Sequence, residues 1–166
     1  MSFALRAMRP EDWPAVEQIY AAGIATGHAT FEIATPAWAE WDAAHLATPR
    51  LVADEGGVAV GWAALSPASR RAVYRGVAEV SVYVAPEAWG RGVGRLLLDA
   101  LVRASEEAGL WTLQASVFAG NHASLKLHER AGFRRVGVRE RIARRDGRWH
   151  DTVILERRSA VVGAPS

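Results

Sequence analysis

The sequence predicts an α+β fold, a single domain built on a mixed, mainly antiparallel sheet of about seven strands flanked by about four helices. Three observations carry this. The periodic segments follow one another as βα, α, βββ, α, β, α, ββ. Glu55-Gly56-Gly57 and Asp146-Gly147 each separate two β-rich runs with residues that accept tight hairpin turns, so neighbouring strands fold back antiparallel. A chain of 166 residues that is 50% hydrophobic fills one core and is too short for two ordinary domains. The domain is expected over residues 1–158, with the small, aperiodic residues 159–166 as a frayed tail.

Residues 3–7 alternate weakly and read as a first strand. Val16, Ile19, Tyr20, Gly23 and Ile24 then recur at helical spacing, Pro14 sits in the first turn where its missing N–H costs nothing, and Gly27 is a stop. Thr35-Pro36 has the form of a cap and first helical position for a second helix, with Trp38, Trp41 and His45 on one face. His45 is read there as a packed residue, and Trp38, Trp41, Trp62 and Trp111 as core.

Residues 51–54 and 58–66 form the first hairpin, and a polar loop carrying Arg70, Arg71, Tyr74 and Arg75 leads into a β-branched strand over 77–84. Ala85-Pro86 ends that strand. Val93, Leu96, Leu97, Ala100 and Leu101 mark a long amphipathic helix closed by Gly109. A strand over 111–117, a helix capped by Asn121 and ended by Gly132, and a final pair of strands from Phe133 to Arg157 complete the chain.

Composition narrows the chemistry. There is no cysteine, which excludes disulfides, thiolate metal sites and a thiol nucleophile. No apolar run approaches the ~20 residues that cross a bilayer, and the first residues lack a signal-peptide pattern, so a cytoplasmic protein without a membrane partner is expected. A net charge of +2 is too small to imply nucleic acid. The arginines between 130 and 148 show no interleaved aromatic pattern and read as a solvated rim that touches phosphates or a partner subunit. His28, His122 and His150 show no metal-ligand spacing, and no metal is expected.

The stretch from Gly76 to Glu107 concentrates the chemistry. Trp89-Gly90-Arg91-Gly92-Val93-Gly94-Arg95 fails the dinucleotide fingerprint, which needs a small third residue where Arg95 stands, and fails the P-loop, which needs Gly-Lys before Ser or Thr. A phosphate cradle and a structural turn both remain. Glycines let backbone N–H groups approach a pyrophosphate, and Arg91 and Arg95 add charge at a helix start. In the preceding strand, alternation puts Glu79, Ser81 and Tyr83 on one face. Glu79 is either a desolvated carboxylate suited to a general base or half of an ion pair with an arginine such as Arg75.

Together these residues resemble the GCN5-related N-acetyltransferases. The turn is similar to that family's Arg/Gln-x-x-Gly-x-Gly/Ala pyrophosphate motif, with Trp89 standing where the family has Arg or Gln. The run from Asn121 through Ser124 and His128 to Gly132-Phe133 is similar to its Asn-containing helix, and the resemblance covers residues 4–156. Tyr74-Arg75 leading into residues 78–84, the Thr30-Phe31 loop, and residues 147–151 resemble the phosphinothricin and methionine sulfoximine acetyltransferase branch.

The resemblance implies a GNAT fold, a homodimer, and direct acetyl transfer from acetyl-CoA to the α-amine of a small amino acid or analogue. It implies Glu79 as base, with Tyr83 or His128 as candidate donors to the leaving thiolate, unless that thiolate, with a pKa near the ~8.5 of cysteine, leaves without an acid; many members have Tyr where this chain has His128. Gly90, Arg91, Gly92, Val93, Gly94 and Arg95 would hold the pyrophosphate, Val82, Tyr83 and Val84 the pantetheine as an added strand edge, with Asn121 and Ser124 nearby. For the acceptor, Arg75 with Arg70 or Arg71 would pair with a carboxylate beside Tyr74, and Phe31, Tyr83 and Trp149 would wall its side chain. A protein N-terminus or other amine as acceptor, and a non-catalytic acyl-CoA-binding module, are the alternatives.

Overall fold

The computed structural model of the chain describes residues 2–165. Seven strands form one sheet in the order β1-β2-β3-β4-β5-β7-β6. They span Ala4–Ala7 (β1), Arg50–Glu55 (β2), Val58–Pro67 (β3), Val77–Val84 (β4), Thr112–Phe118 (β5), Arg134–Arg145 (β6) and Arg148–Arg158 (β7). Every pairing is antiparallel except that of β4 with β5, the two strands linked through the helix α3, Val93–Glu107. The remaining α-helices among the described residues are α1 (Trp13–Ala25), α2 (Trp38–Ala44) and α4 (His122–Arg130).

The two faces of the sheet are covered differently. On one, α1 lies so close to β4 that a Cβ on Gly23 would sit 2.7 Å from the Tyr83 ring. On the other, α3 presses Val93 and Leu97 against Gly61, where an added Cβ would meet Leu97 at 2.9 Å. Apolar residues repeating along α3 (Val93, Leu97, Leu98, Leu101, Val102) are buried against this second face. Leu113, Ala115 and Val117 of β5 are buried in the same core, as period-two alternation requires. Trp41 and Trp62 are each 1% exposed, as core residues should be, whereas Trp38 and Trp111 are half-buried.

Turn chemistry explains the antiparallel order. Gly56 and Gly57 hold φ of 63° and 89°, and Asp146-Gly147 hold 52° and 75°, the left-handed pairs that match hairpin twist. β4 covers 77–84 as the sequence predicts, and Gly109 is left-handed beyond α3 at φ 83°.

Two expectations are corrected. The helix α2 begins at Trp38 with Ala37 as its cap, because the Thr35 hydroxyl donates to Glu17 on α1 at 3.3 Å and caps nothing. The segment after β7 is not frayed where it leaves the sheet. Ser159 is 6% exposed; its N–H donates to the Trp111 carbonyl at 2.8 Å and its hydroxyl to Glu106 at 2.5 Å while accepting from the N–H groups of Val161 and Val162. The last residue of the expected tail, Ser166, and the first of the domain, Met1, lie outside the described residues.

Candidate active site

The site begins where the sheet comes apart. β4 and β5 pair only at Val77↔Thr112, Ala78↔Leu113 and Glu79↔Gln114, yet β4 continues to Val84 and β5 to Phe118. Beyond Glu79 the two strands diverge, and the edge of β4 that would have bonded β5 has no strand partner. The gap is a cleft of about 970 Å³ lined by Val80, Ser81, Val82, Tyr83 and Val84 on one side and Ala115, Ser116, Val117 and Phe118 on the other. Backbone groups left without a ladder form a template for an extended, amide-bearing ligand.

At one end of the cleft stands the start of α3. Gly90 and Gly92 are left-handed at φ 73° and 84°, and no atom lies within 4 Å of a Cβ built on either, so conformation rather than crowding requires glycine. The N–H of Leu96 bonds the carbonyl of Gly92 at 3.1 Å. Val93, Gly94 and Arg95 precede that bond and line the cleft, so their N–H groups are not used by the helix ladder and the positive end of the helix dipole lies there, an arrangement that suits an anion. A Cβ on Gly94 would make an ordinary van der Waals contact with Leu127 of α4 at 3.4 Å.

The two arginines of the turn are engaged elsewhere. Arg95 bonds Asp99 one turn along the helix, and Arg91 forms a bidentate pair with Glu55 at 2.6 and 3.1 Å while lying over the Phe3 ring. Arg95 still lines the cleft; Arg91 does not. The turn is fastened instead by Trp89, whose indole donates to the Val84 carbonyl at 2.8 Å.

Glu79 stands where the strands part. Its carboxylate meets water through the cleft mouth, but the enclosing walls strip enough solvent to raise its pKa, opposed by the positive charge of Arg139. Arg75, the ion-pair partner considered from sequence, lies over the Trp111 ring instead. On the same face, Tyr83 stacks on Trp62 with centroids 5.0 Å apart and packs at a tilt against Tyr20 at 4.9 Å. Burial raises the Tyr83 pKa, the Thr30 side chain works the other way, and the hydroxyl stays protonated at neutral pH.

Across the cleft, Asn121 caps α4 by accepting the Ser124 N–H at 3.2 Å, and both residues line the opening. His128 is 6% exposed, and burial depresses its pKa. Its Nδ1 lies 2.7 Å from the Ser124 carbonyl, which can only accept, so Nδ1 carries the proton and Nε2 a lone pair. A neutral imidazole in that tautomer accepts a proton at Nε2 and has none there to donate, which counts against the acid role given to it from sequence.

Of the expected acceptor residues, Phe31 lines the cleft, packed on Phe118 at 4.3 Å. Arg70, Arg71, Tyr74 and Arg75 do not: they sit on the exposed β3–β4 loop, at the end of β4 away from the divergence. Trp149 lies outside the cleft as well, in a separate hollow of about 560 Å³ with His150 and Asp151. Among the described residues no group of His, Cys, Asp or Glu could hold a metal ion.

Three residues to which the sequence assigned no role of their own also shape the site. Thr30 beside Tyr83 and Arg139 near Glu79 are two. Arg145 donates to the carbonyls of Thr30 at 2.7 Å and Gly27 at 3.2 Å, fastening the loop that carries Phe31. Those contacts join positions more than a hundred residues apart, and no local pattern signals them.

A divergent parallel strand pair, an anion site at a helix start and a desolvated carboxylate in one cleft define an acyl-group transferase. The chain belongs to the acetyltransferase (GNAT) family, whose pattern matches residues 7–133. Within it, the chain is 41% identical over 160 residues to phosphinothricin N-acetyltransferase of Alcaligenes faecalis, covering 92% of this chain and 81% of that one. It is 36% identical over 109 residues to L-methionine sulfoximine/L-methionine sulfone acetyltransferase of Pseudomonas aeruginosa, covering 65% and 63%. The crystal structure of a phosphinothricin acetyltransferase from Sinorhizobium meliloti in complex with acetyl-CoA superposes with a TM-score of 0.89 at 30% identity, over 100% of this chain and 93% of that one.

Proposed function

We propose that the protein transfers acetyl from acetyl-CoA directly to the α-amine of a small amino acid or analogue of the phosphinothricin or methionine sulfoximine type. One observation carries the reading: the unpaired edge of β4 runs from Glu79 to the free N–H groups at the start of α3 in a single continuous cleft. The pyrophosphate would lie on Gly92 to Arg95 and the pantetheine along Val82 to Val84. Acetyl-CoA supplies an activated thioester; the chain supplies position, a base and hydrogen bonds.

At neutral pH the acceptor is mostly an ammonium and cannot attack. Glu79, ionised but with a raised pKa, removes one proton directly or through water. The amine nitrogen then bonds the thioester carbonyl carbon as backbone N–H groups on the open β4 edge donate to its oxygen. When the C–S bond breaks, sulfur leaves with the electron pair and takes the Tyr83 hydroxyl proton, while the nitrogen's second proton passes to the Tyr83 oxygen, directly or through water, and restores the hydroxyl. The Tyr83 hydroxyl holds a proton and is the better donor to that sulfur than His128. No covalent enzyme intermediate is involved, in keeping with a chain that has no cysteine.

The reading includes a homodimer, supported by Val136, Val138, Ile142 and Trp149 exposed on the β6–β7 hairpin. It places the enzyme in the cytoplasm with its acyl donor. CoA-thiol release from acetyl-CoA, measured against amino acids, their analogues and peptides, tests it. Release with amino acids is expected; release with peptides alone would refute it. Sedimentation analysis tests the dimer.

A further inference from the structure

We propose that Arg139 is the specificity-determining cation of the acceptor site, receiving the acceptor's carboxylate while Glu79 handles its amine. The inference rests on the proposed amino-acid acceptor and assigns the group that selects it.

Sheet register places Arg139 on the face that carries Glu79. Glu79 is opposite Gln114, and Gln114, Ser116 and Phe118 share one face of β5. Phe118 is opposite Thr152 of β7, and Thr152 is opposite Arg139 of β6. Paired residues project to the same side, so Glu79 and Arg139 lie on one surface of the sheet, in rows four residues apart along β5. Phe118 and Thr152 line the cleft, Phe31 roofs Phe118, and Arg139 stands at the next position outward.

The backbone is shaped at this point. Immediately after Arg139 the β6–β7 register shifts before resuming at Ala143. Arg141 within the shift is left-handed at φ 46°, and its N–H is held by Asp151 at 2.7 Å. Bulges of this kind re-aim side chains and recur beside active sites.

Arg139, like Arg141, Arg144 and Arg148 of the same hairpin, has no ion-pair partner among the described residues. Arg134 pairs with Glu156, Arg135 with Glu129, and Arg145 with the loop carbonyls. Among the described residues no carboxylate lies within ion-pair distance of Arg139, although its charge reaches Glu79. The cations that line the cleft, Arg95, Lys126 and Arg130, come from α3 and α4 on the phosphate side, while the acceptor side contributes Glu32 and Glu79. An amino acid entering there finds carboxylates for its ammonium group, and Arg139 is a free guanidinium for its carboxylate.

The test compares wild type, Arg139→Gln and Arg139→Lys on methionine sulfoximine and on its carboxamide, with binding of methionine sulfoximine measured calorimetrically in the presence of CoA. Arg139→Gln should raise KM for the acid about ten- to a hundredfold, the effect of losing a charged hydrogen bond. KM for acetyl-CoA and for the carboxamide should stay unchanged, and lysine should recover part of the loss. Equal losses for acid and amide, a parallel change in KM for acetyl-CoA, or no change would overturn the assignment. If wild type binds the acid without acetylating it, the proposed function fails while Arg139 stands, provided Arg139→Gln abolishes that binding. Absence of both binding and turnover in wild type would overturn both.

Discussion

The Trp89 indole donates its Nε1–H to the carbonyl of Val84 at 2.8 Å, tying the glycine turn to the last residue of the central strand. The family pattern has Arg or Gln at this position, and in this chain an aromatic N–H fastens the loop. Because the proposed pyrophosphate site consists of backbone N–H groups, the turn needs to be held in place more than it needs a charge there. Trp89→Phe keeps the ring and loses the donor. It should cost near the lower end of about 0.5–1.5 kcal/mol in urea unfolding, since Trp89 is 55% exposed, and raise KM for acetyl-CoA. Trp89→Gln restores a donor and should recover most of both. Wild-type behaviour of Trp89→Phe in both measurements would make the tie incidental.

Glu79→Gln removes the proposed base and should lower kcat/KM by about 10²–10⁴. The wild-type rate should fall on the acid side with a midpoint above the ~4.3 of an ordinary glutamate. The stability effect has the opposite sign. A carboxyl whose pKa is raised on folding binds its proton more tightly in the native state, so stability is lost as pH rises through the folded pKa. Glu79→Gln should therefore melt no lower than wild type at pH 7. A lower melting temperature would identify Glu79 as a structural residue.

His45 and His128 are both held neutral by burial, with pKa values below the usual ~6.5. Between the folded and unfolded pKa the unfolded chain binds more protons, so stability rises with pH through that window. Their contribution is complete above about pH 6.5 and is lost as pH falls toward the folded values. Thermal unfolding from pH 7.5 to 5.5 should show a falling midpoint, and His128→Gln should flatten the slope. Its kcat should stay within about tenfold of wild type, because the Nδ1–H tautomer has no acidic proton at Nε2. A loss of several orders of magnitude would restore His128 as the acid.

Ser159→Ala deletes a hydrogen bond to the Glu106 carboxylate and the acceptor for two backbone N–H groups. The cost should be about 1.5–3 kcal/mol in urea unfolding. Turnover should be unchanged, since Ser159 lies away from the cleft. A neutral substitution would mean that the segment after β7 is held by its neighbours alone.

Local chemistry determined much of this protein from sequence alone. Apolar spacing at two and 3.6 residues marks the same strands and helices that the sheet and its covering layers contain, because those periods decide which side chains reach a core. The glycine turn at 90–94, the Asn121 cap and the position of Glu79 in β4 were legible for the same reason: each depends on residues within a few positions. Which arginine stands near Glu79 was not legible. Arg75 is close in sequence but lies over Trp111, while Arg139 is brought to the same sheet face through three successive strand registers. The Arg145 grip on the Thr30 loop, the burial that fixes the His128 tautomer, and the divergence of β4 from β5 are likewise products of long-range pairing. Periodicity fixes which way a side chain points within its own element; only the packing of elements decides what it points at.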